Sequence, residues 1–320
     1  MINRIALLHR FAPANHIIAG VAKRRAAMTT ALMNTTLQAA LWMIGAICSF
    51  TLMAVAGRTV SIELDTFEIM LFRSLTGIAI VIGVASYVGT LRKISANRLG
   101  LHTTRNICHF TGQNLWFYAI TTIPLAQVFA LEFTTPIWVI LLSPLLLKER
   151  LTSIGLFCAG LGFVGILMVA RPDPSNINAG LVAAASCAVF FALTAIFTRK
   201  LTQTENITTI LFYLTVMQAV FGLICAGIDG DIAVPSQAAL PWVILIGCAG
   251  LLAHFCLTKA LSIAPASIVM PIDFVRLPTI AVVGMLIYDE PIEVWIFAGA
   301  ALIFAANYIN ITQANKSAKT

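Results

Sequence analysis

The sequence predicts an all-α integral membrane protein with ten transmembrane helices, built as a 5+5 inverted repeat. Three observations predict it. First, the 320 residues are 59% hydrophobic and only 10% charged, with a mean hydropathy of +0.93, whereas a soluble domain is nearer half apolar and a quarter charged. Second, the apolar residues gather into blocks of membrane length. Third, the segment PLAQVFALEFTTPIWVILLSPLLLKER at 124–150 is matched without gaps, 141 positions later, by PASIVMPIDFVRLPTIAVVGMLIYDEP at 265–291. Pro124 meets Pro265, Glu132 meets Asp273, Phe133 meets Phe274 and Glu149 meets Glu290.

Residues 1–35 contain Arg4, Arg10, Lys23, Arg24 and Arg25 and no acid. They read as a basic cytoplasmic tail that fixes orientation, with a targeting presequence or a membrane-surface helix as the alternative. Ten apolar blocks follow at 36–57, 66–88, 101–120, 124–147, 152–170, 179–198, 207–228, 240–262, 265–288 and 292–312. At 1.5 Å per residue, blocks of this size span a hydrocarbon core of roughly 30 Å. Backbone groups in lipid must be satisfied within the segment, so the blocks are helices. Residues 36–170 form the first repeat, 179–312 the second, and 313–320 a cytoplasmic C-terminal tail. The links are too short for a soluble domain.

Charge sets the orientation. With the N-terminus inside, one side collects the tail arginines, Arg92, Lys93, Arg98, Arg105, Lys148, Arg150, Arg199, Lys200, Lys259, Lys316 and Lys319. The other side keeps Arg58 and Arg171 among the acids Glu63, Asp65, Asp173, Asp229, Asp231, Asp289 and Glu290. This asymmetry predicts that both termini are cytoplasmic. It also accounts for the net charge of +7 without a nucleic-acid partner. Five helices per repeat is an odd number, so the second copy enters the membrane from the opposite side. Inverted repeats are the common construction of secondary transporters, because two similar halves can exchange conformations around one site.

The paired signatures at 124–152 and 265–291, together with Phe72-Arg73 in the second helix, resemble those of the drug/metabolite transporter superfamily, in particular its EamA-type branch. The resemblance covers about 36–312. It implies ten helices in a 5+5 inverted arrangement, a central cavity between the halves, and transport of small organic metabolites such as amino acids, nucleotide conjugates, vitamins or drugs.

Polar residues inside the blocks are the candidate site, because an ionisable group at membrane depth costs roughly 2.5–3.5 kcal/mol on insertion scales. By residue count Glu132 lies about 12 Å and Arg73 about 10 Å below the outer face, close enough in depth to pair. Such a pair reads either as a substrate or proton site or as a structural ion pair. Asp273 has Arg276 three residues on, on the same helical face. Asp273, His109 and His254 share a level in the inner half, which admits a proton relay. The alternative is an Asp273–Arg276 pair with each histidine bonded elsewhere. Arg105, His109 and Gln113 form a stripe at i, i+4 and i+8 with Trp116 nearby, the best candidate for a cavity wall. Pro136, Pro144, Pro271 and Pro278 interrupt helices four and nine, and Pro136, Pro271 and Pro278 are hinge candidates beside the two acids.

The sequence lacks HExxH, Walker and GxSxG patterns, and its seven cysteines form no CxxC pair, so enzyme, ATPase, metal-site and disulfide readings find no support. The expectation is a secondary active transporter of the bacterial cytoplasmic membrane, without cofactor or metal, moving a small organic solute by alternating access, as a monomer or homodimer. Amino acids, nucleoside- or vitamin-like solutes and S-adenosylmethionine fit it equally. A proton-coupled exporter is the nearest alternative, and a channel or scaffold the alternative of another class.

Overall fold

The computed structural model describes residues 37–146, 153–171, 177–228, 230–263 and 272–317. The helices are α1 (Leu37–Val60), α2 (Thr66–Tyr87), α3 (Leu99–Thr122), α4 (Leu125–Glu132), α5 (Thr135–Leu146), α6 (Ser153–Ala170), α7 (Ala179–Thr202), α8 (Ile207–Ala226), α9 (Leu240–Ile263), α10 (Arg276–Tyr288) and α11 (Val294–Ser317). The described residues contain no strand. The fourth apolar block is thus split into α4 and α5. The last helix runs past the expected boundary at 312, because Gln313 and Ala314 continue it without a breaker.

Sequence decides the helix ends. Asp65 caps α2 reciprocally: its carboxylate accepts from the Glu68 amide at 2.8 Å, and its own amide donates to the Glu68 carboxylate at 2.9 Å. Asn178 and Asn206 cap α7 and α8 through side-chain oxygens, each 2.9 Å from the amide three residues on. Asp65 and Asn206 are 141 positions apart, so the cap recurs with the repeat. Pro124 stops α3 and leads into α4.

Chain direction alternates from span to span, α4 and α5 being two parts of one span. α1 runs toward the end of the bundle that carries Arg58; its counterpart α7 begins there and runs away. Helices two, five and their counterparts pack on each other, α2 on α8 and α6 on α11, while α3 packs on α7. Met43 and Ala46 of α1 pack with Cys256 and Ala260 of α9, the repeat counterpart of the α3–α7 contact. Phe133 and Phe274, matched in the repeat, touch at 4.9 Å between ring centroids. Contacts between equivalent residues place a pseudo-two-fold axis through the centre of the bundle. The fold is a ten-helix inverted repeat.

The α6–α11 seam depends on missing side chains. A Cβ on Gly165 would lie 2.8 Å from the Gly299 carbonyl, and one on Gly299 would lie 2.5 Å from the Gly165 carbonyl. Without lipid–water hydrophobic drive between membrane helices, such close backbone approach supplies the packing energy. Gly160, one turn away, has nothing within 4 Å of a Cβ position. Gly165→Val is therefore expected to destabilise the protein by about 1–3 kcal/mol, and Gly160→Ala to leave its melting temperature in detergent unchanged.

Candidate functional site

The site begins at the two helix breaks. After Glu132 the chain makes a turn at Phe133-Thr134, closed by Thr134 N–H donating to the Leu131 carbonyl at 3.0 Å. Pro136 has no N–H for the Glu132 carbonyl, and the Thr135 hydroxyl donates to that carbonyl instead, at 2.6 Å. The second repeat breaks at the matched position: Val275 N–H donates to the Ile272 carbonyl at 3.1 Å, and Leu277 N–H to the Phe274 carbonyl at 3.1 Å, where Pro278 cannot. The hinge candidates Pro136 and Pro278 both stand in the first turn after a break. Pro271 lies outside the described residues.

These breaks aim three charged side chains at one point. The Arg276 guanidinium donates to Glu132 at 2.9 Å and to Asp273 at 3.0 Å, with the arginine 5% exposed and the acids 13% and 14%. The rings of Phe50, Phe129 and Phe133 surround the guanidinium at 4.8, 5.0 and 5.1 Å. The Trp116 indole N–H donates to the second Glu132 oxygen at 2.9 Å. One Asp273 oxygen and Arg276 Nε have no partner among the described residues. Two carboxylates, one from each repeat, thus share a single guanidinium.

The depth argument that pairs Arg73 with Glu132 is overturned here. Arg73 donates to the Gln113 side-chain oxygen and rests over Phe117 at 5.8 Å, while Arg276 takes Glu132. Depth carries no azimuth, and Arg276 reaches across from the other repeat. The stripe on α3 is buried: Arg105, His109 and Gln113 are each under 5% exposed. His109 and His254 meet at 5.5 Å between ring centroids. Phe50 touches both groups, edge-on to His254 at 5.6 Å and 4.8 Å from the Arg276 guanidinium. Arg73, Gln113, His109, His254, Trp116, Glu132, Asp273 and Arg276 line one continuous core, bridged by Phe50, Trp116 and Phe117.

A second ion pair closes one end of this core. Arg58, at the end of α1, pairs with Glu290 at 2.5 Å. It also donates to the carbonyls of Ile120 and, at 2.7 Å, Ile123. Glu290 accepts the Leu125 amide at 3.0 Å, and Tyr288 donates to the Val55 carbonyl at 3.1 Å. By sequence alone Arg58 reads as a charge at the outer end of the first block. The available signal was arithmetic: Arg199 and Glu149 stand 141 residues from Arg58 and Glu290.

The EamA-like transporter family matches residues 37–171 and 178–312. The chain belongs to this family. A riboflavin transporter of Brucella anthropi is 30% identical over 72% of this chain and 82% of its own. An S-adenosylmethionine uptake transporter of Rickettsia prowazekii is 23% identical over 89% and 96%. A crystal structure superposes with a TM-score of 0.65 at 16% identity, covering 87% of this chain and 98% of its own, which shows the shared fold. With its many apolar helices, seven of them long and apolar enough to cross a membrane among the described residues, this EamA-like protein is a multi-pass membrane transporter of small metabolites.

The charged centre has a stability signature. Arg276→Met leaves two buried carboxylates without their cation and is expected to cost about 3–5 kcal/mol. Adding Glu132→Gln and Asp273→Asn to it removes the stranded charges and should recover most of that loss in a detergent melting series.

Proposed function

We propose that this EamA-like protein is a secondary active carrier of the bacterial cytoplasmic membrane that moves a small ring-bearing metabolite by alternating access. The observation that carries the reading is the shared guanidinium: acids of both repeats meet one arginine, beside paired helix breaks, at the pseudo-two-fold axis. Two ionised carboxylates against one cation leave a deficit of one positive charge at low dielectric. A proton, or a cationic group of the solute, settles that deficit, and its arrival or departure changes which interactions hold the repeats together. Riboflavin and S-adenosylmethionine, named for the relatives, both carry a flat heteroaromatic ring, which suits a core walled by Phe50, Phe117 and Trp116.

The clasp supports a rocking cycle. With both termini cytoplasmic, as the basic loops favour, Arg58–Glu290 closes the outer end. Proton coupling follows from the two-acid centre, and a channel is disfavoured by a core so fully packed.

Counterflow in proteoliposomes tests the carrier. Labelled riboflavin or S-adenosylmethionine is expected to exchange saturably, faster with an imposed proton gradient, and Glu132→Gln should cut the rate at least tenfold while the protein still inserts. Non-saturating flux, or full activity in that variant, would sink the reading. The clasp has its own test. Glu290→Gln should shift the half-saturating external concentration by about 5–30-fold if the clasp contributes 1–2 kcal/mol. An unchanged value would remove the clasp from the cycle.

A further inference from the structure

The triad carries one carboxylate more than its cation, and α2 and α3 carry the opposite imbalance, in Arg73 and Arg105. Among the described residues, ion pairs join Arg58 to Glu290, Arg171 to Glu293, and Arg276 to Glu132 and Asp273. Arg73 and Arg105 enter none of them, although they are 8% and 4% exposed. Arg73 has the Gln113 oxygen and, at 3.6 Å, the Met70 sulfur. Arg105 has the Thr198 hydroxyl at 3.1 Å and the Asn106 side-chain oxygen at 2.9 Å. Neutral acceptors do not cancel a guanidinium charge, and a buried cation without a counter-ion is expensive.

The surroundings are equally prepared for an acceptor. His109 is 2% exposed, and neither ring nitrogen has a partner among the described residues. It leans on His254, which with Arg73, Ser74, Thr215 and Gln218 lines a gap between α2, α8 and α9 of about 20 Å³, room for roughly one water. The Gln218 side-chain amide reaches across to the Asn106 carbonyl at 2.9 Å, tying this gap to the Arg105 end of the stripe. Glycines permit the crowding: a Cβ on Gly250 would lie 3.2 Å from Arg73 Nη2, and one on Gly247 2.9 Å from the Arg73 carbonyl. Counting along α3, Arg105 stands roughly 12 Å from Gln113, so a second guanidinium lies further along the same stripe.

Building on the carrier reading, we propose that Arg73, with Gln113, His109 and His254, forms a subsite for an anionic oxygen group of the transported solute, a carboxylate or a phosphate. A fixed acid beside Arg73 would neutralise the site permanently. Leaving the guanidinium with neutral partners lets the solute supply the missing charge, while its ring packs on Phe117 and Trp116. Arg105 offers the next cation on the way to the end of the bundle that carries Lys93.

The test uses the full-length protein in detergent and matched probes: riboflavin against riboflavin 5′-phosphate, and indole against indole-3-acetate. At least one anionic member is expected to raise the melting temperature at a tenfold lower concentration than its neutral partner. The phosphate and carboxylate arms tell the two anion chemistries apart. Arg73→Gln should abolish that preference, and Arg73→Lys, which keeps the charge, should retain part of it. Without added probe, Arg73→Gln should melt higher than the wild type, because an unpaired buried cation has been removed. No anion preference in either pair, or a lower melting temperature for unloaded Arg73→Gln, would overturn the subsite. Anion preference without counterflow would uphold the subsite and remove the carrier. Counterflow at the wild-type rate in Arg73→Gln would uphold the carrier and remove the subsite.

Discussion

One guanidinium holding two carboxylates across the inverted repeats is the interaction on which the centre of this molecule depends. Arg276 and Asp273 flank the break that precedes α10, and Glu132 ends α4, so the triad joins the helix ends that border the two breaks. The breaks are affordable in lipid because each freed carbonyl finds a donor inside the protein: the Thr135 hydroxyl for Glu132, and the Leu277 amide for Phe274. The three phenylalanines around Arg276 exclude water without supplying charge, which strengthens both ion pairs and leaves their imbalance unscreened.

Symmetry explains the scaffold, and its failure explains the site. The caps, the breaks, the acids and the touching pair Phe133–Phe274 all recur at a spacing of 141. The cations and polar groups of the core do not: Arg276 stands opposite Thr135, Arg73 opposite Leu214, His109 opposite Gly250 and Gln113 opposite His254. The symmetric frame thus encloses an asymmetric core, with a charged wall on α2 and α3 and a glycine-lined wall on α9. The closeness of Gly250 and Gly247 to Arg73 shows that the second repeat has given up side-chain volume where the first has placed charge.

Much of this was legible in the sequence, and the reasons differ by feature. The helices follow from block length, the inversion from an odd number of blocks, and Glu132, Asp273, Pro136 and Pro278 from being polar or donorless where lipid tolerates neither. Partner choice was not legible. Depth placed Arg73 and Glu132 at one level, yet only the direction of each side chain around its helix determines that Gln113 takes the first and Arg276 the second. The phenylalanine cage was hidden for the opposite reason: Phe50 and Phe129 look like any apolar residue of a membrane helix. Arg58 was discounted because loop arginines are common, although its repeat counterpart is another arginine.

The clasp and the charged centre act on the same short lever. Glu290, just after α10, accepts the amide of Leu125, the first residue of α4, while Arg276, the first residue of α10, binds Glu132, the last residue of α4. α4 has only eight residues, about 12 Å of helix, and its two ends are tied to the two ends of α10. Such a short helix does not bend appreciably, so in the proposed carrier cycle it would move as a unit: loosening Glu132 from Arg276 would free one end, and releasing the Leu125 amide from Glu290 would free the other. In that cycle, charge arriving at the centre and separation of the bundle end would be coupled through one rigid element, with the Phe133-Thr134 turn as the joint that lets α5 stay behind.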